Sequence, residues 1–366
     1  MSRPSIVDFK HPDVSVYQKS LSTPAKELRQ NRAASKEACG NCYRLGEKLS
    51  RCAKCKTVAY CSKECQRSHW PVHKTGCTPV DGSTLSLVKI TQRLLAGRTL
   101  YNCVEQACVY ACDMFNSPVP PAERYQHKPF VVRIDVAIEP EDVKAFYKLY
   151  NNDHGDSLSS AKTPQSNIPG LVQINAITDW SHTGIVPEGG MQMWRNAKAS
   201  LVGTHLHDAC QGLVCVSKGN TMLVFHPIVV AADTVVDLKP GGARSTFGVR
   251  SAITGGHGVV PRTLENVIEF MNTHIREDKK NKLCLRSVLG DVDIQTIKDA
   301  GAAARVLKES AGEEDDEQVD ALNEPPAPSV HARAYAAWIM RKKVDREQVY
   351  VREATIQFFA SLGLGH

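Results

Sequence analysis

The chain has no run of eighteen uncharged apolar residues, and its opening residues, Met1-Ser2-Arg3-Pro4-Ser5-Ile6-Val7-Asp8, carry no apolar leader core. The sequence therefore predicts neither a membrane-spanning helix nor secretion, and points to an intracellular protein. Aromatic residues make up only 6% of the 366 positions, and the formal charge of +6 is modest for this length, so a strong nucleic-acid footprint is lacking. No repeat of 20–50 residues is present. Gly255-Gly256-His257-Gly258 lacks the Lys-Ser/Thr that completes a phosphate loop, and Gly241-Gly242 stands alone, so both read as turns. His205-x-His207-Asp208 is followed by Ala209 and Cys210 where a metallohydrolase pattern needs Asp and His. Cys103, Cys108 and Cys112 lie on an apolar helical stripe and read as core.

What is present is concentrated near the start. Between Cys39 and Cys77 the chain places Cys39, Cys42, Cys52, Cys55, Cys61, Cys65, His69, His73 and Cys77, nine metal-ligating side chains within 39 residues. In a reducing compartment such spacing means metal rather than disulfides. The two Cys-x2-Cys pairs suit tetrahedral zinc, and the later members recur every four residues, which sets them on one helical face. Nine candidates compete for the eight positions of two sites, and spacing alone admits either His69 or His73. Residues 32–77 carry ten Lys/Arg against three Asp/Glu, an excess that seven thiolates and two Zn2+ would lower to roughly +4.

The Cys-x2-Cys pairs, Tyr60-Cys61, Cys65-Gln66, His69-Trp70, His73 and Cys77 together resemble the MYND zinc finger. That resemblance implies two structural zinc ions bound in crossed order: Cys39, Cys42, Cys61 and Cys65 on the first, and Cys52, Cys55, His73 and Cys77 on the second. His69 then falls where no ligand is required, and Tyr60 reads as structural. It also implies a peptide-binding surface on which Gln66 and Trp70 receive short proline-containing segments; Pro118–Pro121 and Pro325–Pro328 are such segments within this chain. Ser62 is placed to cap a helix, and Pro71 is expected to break it into two short turns. MYND fingers also occur inserted in SET lysine methyltransferases, but only 38 residues precede Cys39, no Asn-His-Ser-Cys-like motif follows, and the Gly-Glu-Glu at 312–314 belongs to the acidic run.

The rest of the chain predicts an α+β fold. Residues 1–37 read as a flexible lead-in, 38–78 as the finger, 83–308 as an α+β domain of unknown role, 309–330 as an acidic and proline-rich disordered loop, and 331–366 as a helical segment docking on that domain. The expected elements are one helical stretch from Ser83 to Phe115, a strand through Val132, Ile134, Val136 and Ile138, and a helix through Val143, Phe146, Tyr147 and Tyr150. A strand at Leu171–Ile177, a helix near Gly190–His205, a hairpin of Leu213–Ser217 with Thr221–Phe225, a helix behind Pro261 and a strand at Leu283–Val288 follow. Residues 309–324 hold eight Asp/Glu and no Lys/Arg before Pro325-Pro326-Ala327-Pro328. The predicted function is an intracellular adaptor that binds proline-containing proteins through the finger. The alternatives are an enzyme within residues 83–366, which a pocket gathering His205, His207 or His257 with an acid would support, and a nucleic-acid-associated regulator.

Overall fold

The computed structural model describes residues 23–34, 39–44, 49–56, 58–74, 77, 87–151, 168–182, 186–218, 223–250 and 257–310. Helix α1 (Ala25–Ala34), strands β1 (Ser50–Arg51) and β2 (Ala59–Tyr60) and helix α2 (Lys63–His73) come first, then α3 (Leu87–Ala96), α4 (Arg98–Ala111) and the single turn α5 (Pro121–Arg124). There follow β3 (Phe130–Pro140), α6 (Val143–Asn151), β4 (Pro169–Asp179), α7 (Glu188–Ala199), β5 (Cys210–Ser217), β6 (Leu223–Val230) and α8 (Ala232–Leu238). The remaining elements are β7 (Thr246–Arg250), β8 (His257–Pro261), α9 (Leu264–Glu277), β9 (Arg286–Val288) and α10 (Asp291–Ser310). Residues 311–330 of the expected loop at 309–330, the expected segment 331–366, and residues 1–22 and 35–37 of the lead-in lie outside the described residues, while 309–310 belong to α10.

Strand β3 is the spine of a five-stranded sheet ordered β6-β5-β3-β4-β9. Its alternation puts Val132, Ile134, Val136 and Ile138 on one face, all buried as the period of two predicts. It pairs antiparallel with β4 and parallel with β5, and β5 forms the expected antiparallel hairpin with β6. Between Asp135 and Val136 the register shifts so that Ala176 faces Asp135 and Ile174 faces Val136, leaving Asn175 as the extra residue of a bulge. Helix α4 buries Leu100, Cys103, Val104, Ala107 and Cys108, its i, i+3, i+4, i+7, i+8 stripe, and packs on β4, β6 and α9. Helix α7 covers the Leu213 and Phe225 side, where Trp194 Nε1 donates to the Gln211 carbonyl at 3.3 Å.

The outer edge of β4 is closed by unlike means. Strand β9 pairs with β4 only from Pro169 to Leu171, and Val172 N–H then donates to the Leu285 carbonyl at 3.0 Å. At Ile174 a side-chain amide substitutes for a strand: Ile174 N–H donates to Asn272 Oδ1 at 2.9 Å, and Asn272 Nδ2 donates to the Ile174 carbonyl at 2.9 Å. Asn272, fully buried on α9, thereby meets both backbone groups that an open edge leaves unpaired. Beside it Arg276 spans Glu139 at 3.2 Å, Glu269 at 3.4 Å and Gln173 at 2.8 Å.

Several elements differ from the expectations. The stretch from Ser83 to Phe115 is two helices, not one, because Gly97 is extended and serves as the N-cap residue of α4. Both broken ends are capped from the amino-terminal region: Thr23 Oγ1 accepts from Arg98 N–H at 2.9 Å, and Asn31 Nδ2 donates to the Ala96 carbonyl at 2.9 Å. Residues 25–34 of the expected loose lead-in are accordingly helical, with Leu28 buried. Helix α9 begins at Leu264 behind the Thr263 cap, Pro261 ending β8 instead, and α7 stops at Ala199 rather than near His205. The chain divides into two compact units. Among the described residues, 142–151 and 291–310 form one, in which α6 and α10 pack together, Phe146 stacks on Tyr150 at 5.7 Å, and Ile294, Ile297 and Ala300 are buried. A Cβ at Gly301 would lie 1.7 Å from the Tyr150 carbonyl oxygen, so this helix contact requires glycine. The other unit holds the finger, the sheet and α9.

Replacing Asn272 by Ala leaves the buried Ile174 N–H without its partner and takes one of two donors from the Ile174 carbonyl, Gln173 Nε2 at 3.1 Å being the other. The expected loss is about 2–4 kcal/mol of unfolding free energy in urea titration with the slope unchanged; a loss below about 0.5 kcal/mol would show that the edge is closed some other way.

Candidate metal centre

Two turns of the same construction begin the finger. In each, a Cys-x2-Cys pair is followed by a residue at positive φ, Tyr43 (57°) and Lys56 (51°), whose N–H donates at 2.8 Å to the carbonyl of the first cysteine, Cys39 or Cys52. This reversal aims both sulfurs of a pair to one side. Strands β1 and β2 pair antiparallel on either side of the second turn, and Gly40 N–H donates to the Ala59 carbonyl at 2.8 Å. Helix α2 supplies the later side chains. Ser62 caps it, its hydroxyl accepting from Cys65 N–H at 3.2 Å.

The expected break at Pro71 does not occur: α2 runs unbroken from Lys63 to His73 with Pro71 inside it. Proline removes one intrahelical bond, to the carbonyl of Arg67, and Arg67 is exposed, so water can take that place. Continuity keeps Cys65, His69 and His73 on the inner face.

The fold gathers the side chains into two groups, Cys39 with Cys42, Cys61 and Cys65, and Cys52 with Cys55, His73 and Cys77. In each group the ligand atoms all lie within 4.8 Å of one another. In the first, Cys42 and Cys61 sulfurs are 3.6 Å apart and those of Cys61 and Cys65 3.5 Å. In the second, the Cys52 and Cys77 sulfurs are 3.8 Å apart and Cys55 Sγ lies 3.5 Å from His73 Nε2. The groups are crossed in sequence, the first turn joined to side chains around the start of α2 and the second to His73 at its end and Cys77 beyond it.

Electrostatics explains why a cation belongs in each. Burial opposes ionisation of Cys39, but the amides of Cys42, Cys61 and Asn41 outweigh it and bring the thiol down to about 6. Cys61 beside it is pushed up to about 12 by hydrogen bonding with Cys65, Cys42 and Cys39. The second group divides likewise. Burial again works against Cys52, yet hydrogen bonds from Cys55, His73 and Lys54 lower it to about 6, while burial and the bond to Cys52 raise Cys77 to about 11. Sulfurs this close cannot all ionise against one another; a divalent cation removes the conflict. Soft sulfur and imidazole donors in fours fit two structural zinc ions, with no position left open for water or substrate.

The finger's interior is otherwise almost absent. Its buried cluster comprises Cys39, Cys52, Cys55, Cys77 and Tyr60, with Leu49, Val58 and Cys65 against it. Tyr60, 1% exposed, is a true core residue, and its hydroxyl lies 3.0 Å from His69 Nδ1. Burial, then the nearby thiolates, push the phenol up to about 12. His69 stacks on His73 at 5.8 Å but belongs to neither group.

The outer face of α2 carries Gln66, half-buried, and Trp70, 43% exposed, whose ring meets His73 edge-on at 5.9 Å. Tyr43 points elsewhere. A Cβ on Gly189 would sit 1.9 Å from its ring, so Tyr43 rests on the first turn of α7 where only glycine fits. This seat, linking finger and sheet, was not legible in the sequence.

Other candidate residues are not assembled. Cys103, Cys108 and Cys112 are buried, and burial raises all three thiols, Cys103 to about 12. His205 and His207 are exposed, His207 beside a still more exposed Asp208 at 3.0 Å. The side chain of His257 lies outside those described. Gly241-Gly242 occupies a turn, whereas Gly258 lies within β8 and residues 255–256 are not among the described ones. No helix among the described residues is long and apolar enough to cross a membrane.

Comparison with known proteins agrees with this division. Residues 39–77 match the MYND finger, and residues 83–350 match a family described as Domain of unknown function (DUF8205). N-lysine methyltransferase SMYD2 of Bos taurus is 37% identical over 68 residues, and that of Homo sapiens 35% over 68 residues, in each case 17% of this chain and 16% of the relative. SMYD2-B of Xenopus laevis is 38% identical over 63 residues, 16% of this chain and 15% of the relative. The chain thus spans about 16% of the length of the relatives it matches. No solved structure matches it.

A zinc chelator added to the reduced protein is expected to release two ions per chain and to abolish hydrogen-exchange protection in the finger while β3, β4 and β5 keep theirs. Protection that survives metal release would contradict a metal-built module.

Proposed function

The chain belongs to the DUF8205 family, and we propose that it is an intracellular adaptor whose MYND finger binds proline-containing segments of other proteins, with the larger α+β portion as the body that carries it. In this reading Cys39, Cys42, Cys61 and Cys65 ligate one zinc, and Cys52, Cys55, His73 and Cys77 the other. Residues 38–78 are the interaction module, and Gln66 and Trp70 are its contacts.

The observation that carries the proposal is the exposure of Trp70, one turn from Gln66, on a helix whose opposite face is committed to the donor groups. A large indole left in solvent offers area to an extended proline segment, which loses little entropy on binding, and the Gln66 amide can bond its backbone. The ions have no free position, so their part is to hold α2 in place. The relatives named as lysine methyltransferases resemble this chain within the finger segment, and their activity is not extended to it.

Two measurements test the assignment. His73→Ala is expected to lower the zinc content from two ions to one, whereas His69→Ala keeps both; the opposite pattern would exchange their roles. Trp70→Ala, with two ions retained, should weaken binding of proline-rich peptides by about tenfold or more in fluorescence anisotropy. Unchanged affinity would refute the proposed surface.

A further inference from the structure

We propose that the exposed face of α2 selects proline-bearing segments of a partner protein that are flanked by Asp or Glu; this rests on reading Trp70 as a peptide contact and adds what the partner must carry beside its prolines. Lys63, Arg67, Trp70 and Lys74 are spaced i, i+4, i+7 and i+11, so they form one stripe, and all four are exposed. The ligand-bearing side chains Cys65 and His73 lie on the other side of the helix. Residues 63–74 contain a single acid, Glu64, in the first turn, where the helix N-terminus favours its charge. Three cations therefore surround the one exposed indole of the finger, and the net charge beside Trp70 is positive.

A proline segment seated on Trp70 extends past Lys63 and Arg67 on one side and Lys74 on the other. Acidic flanks gain attraction at each, lysine-rich flanks meet repulsion, and the pattern sets selectivity and association rate. The same charge does not make a nucleic-acid platform. Of the finger's other aromatics, Tyr60 is buried and Tyr43 is held against Gly189, which leaves Trp70 alone where base stacking needs several rings.

The test uses the full, reduced, zinc-loaded chain and fluorescence anisotropy with three labelled peptides: a Pro-Pro core flanked by glutamates, the same core flanked by serines, and the glutamate flanks around alanines. The glutamate-flanked core should bind on the order of tenfold more tightly than the serine-flanked one at low salt, as three exposed charge pairs allow. That advantage should shrink at about 0.5 M salt. Arg67→Glu and Lys74→Glu, each checked for two bound ions, should cut the advantage and leave the serine-flanked peptide unaffected.

Equal binding of the two proline peptides would overturn the selectivity while the peptide surface stands. Failure of both would overturn the peptide surface itself. Tighter binding of the alanine peptide, or of a single-stranded oligonucleotide, would overturn the inference in favour of a general anion site. If a variant with residues 313–317 changed from acids to their amides or to serine bound the glutamate-flanked core more tightly than the parent, the occupant would lie in this chain and the assignment to a partner would fall.

Discussion

Metal coordination is the constraint on which residues 39–77 depend. A module this small cannot bury enough apolar surface to order its chain, and its interior bears this out: apart from Tyr60 and the half-buried Leu49 and Val58, the clustered side chains are cysteines. Structural zinc contributes about 10–16 kcal/mol of apparent binding free energy in finger peptides, comparable to the whole stability of an ordinary domain at about 5–15 kcal/mol. Crossing the two groups makes that energy cooperative. Each group joins one Cys-x2-Cys turn to a later part of the chain, so neither half can swing free while both ions are held.

This arrangement frees the outer face of α2. Because Cys65 and His73 face inward and Tyr60 lies against His69, the stripe of Lys63, Arg67, Trp70 and Lys74 stays exposed, and an indole that meets His73 by its edge can stand there 43% exposed among cations. Helical continuity through Pro71 matters here, since it keeps Trp70 in register with Arg67 and Lys74. The Tyr43 seat on Gly189 joins the finger to the sheet in the same unit, so the stripe is presented from a body that has its own core.

The legible parts of the sequence were those with local causes. Alternation through Val132, Ile134, Val136 and Ile138 marked β3, the apolar runs at 213–217 and 221–225 marked the β5–β6 hairpin, and thiol spacing marked the metal site. The parts that were not legible depend on residues far apart. Gly97 ends a helix because Thr23 and Asn31 cap the break from some seventy residues away. The parallel pairing of β3 with β5, the bulge at Asn175 and the Asn272 closure of the β4 edge leave no trace in periodicity, since side-chain amides on helices signal nothing by themselves. Strands β7 and β8 and helix α8 are too short to rise above pattern noise, and Pro71 misleads because a rule about helix interiors says little when the freed carbonyl faces water.

The central claim, that two zinc ions replace a missing core in the finger, is tested most directly by X-ray absorption at the zinc edge on the reduced protein. The account predicts two ions per chain whose averaged shell holds sulfur at about 2.3 Å, with seven sulfurs and one imidazole nitrogen shared between them. A single ion, a second imidazole, or an oxygen shell of water would contradict it.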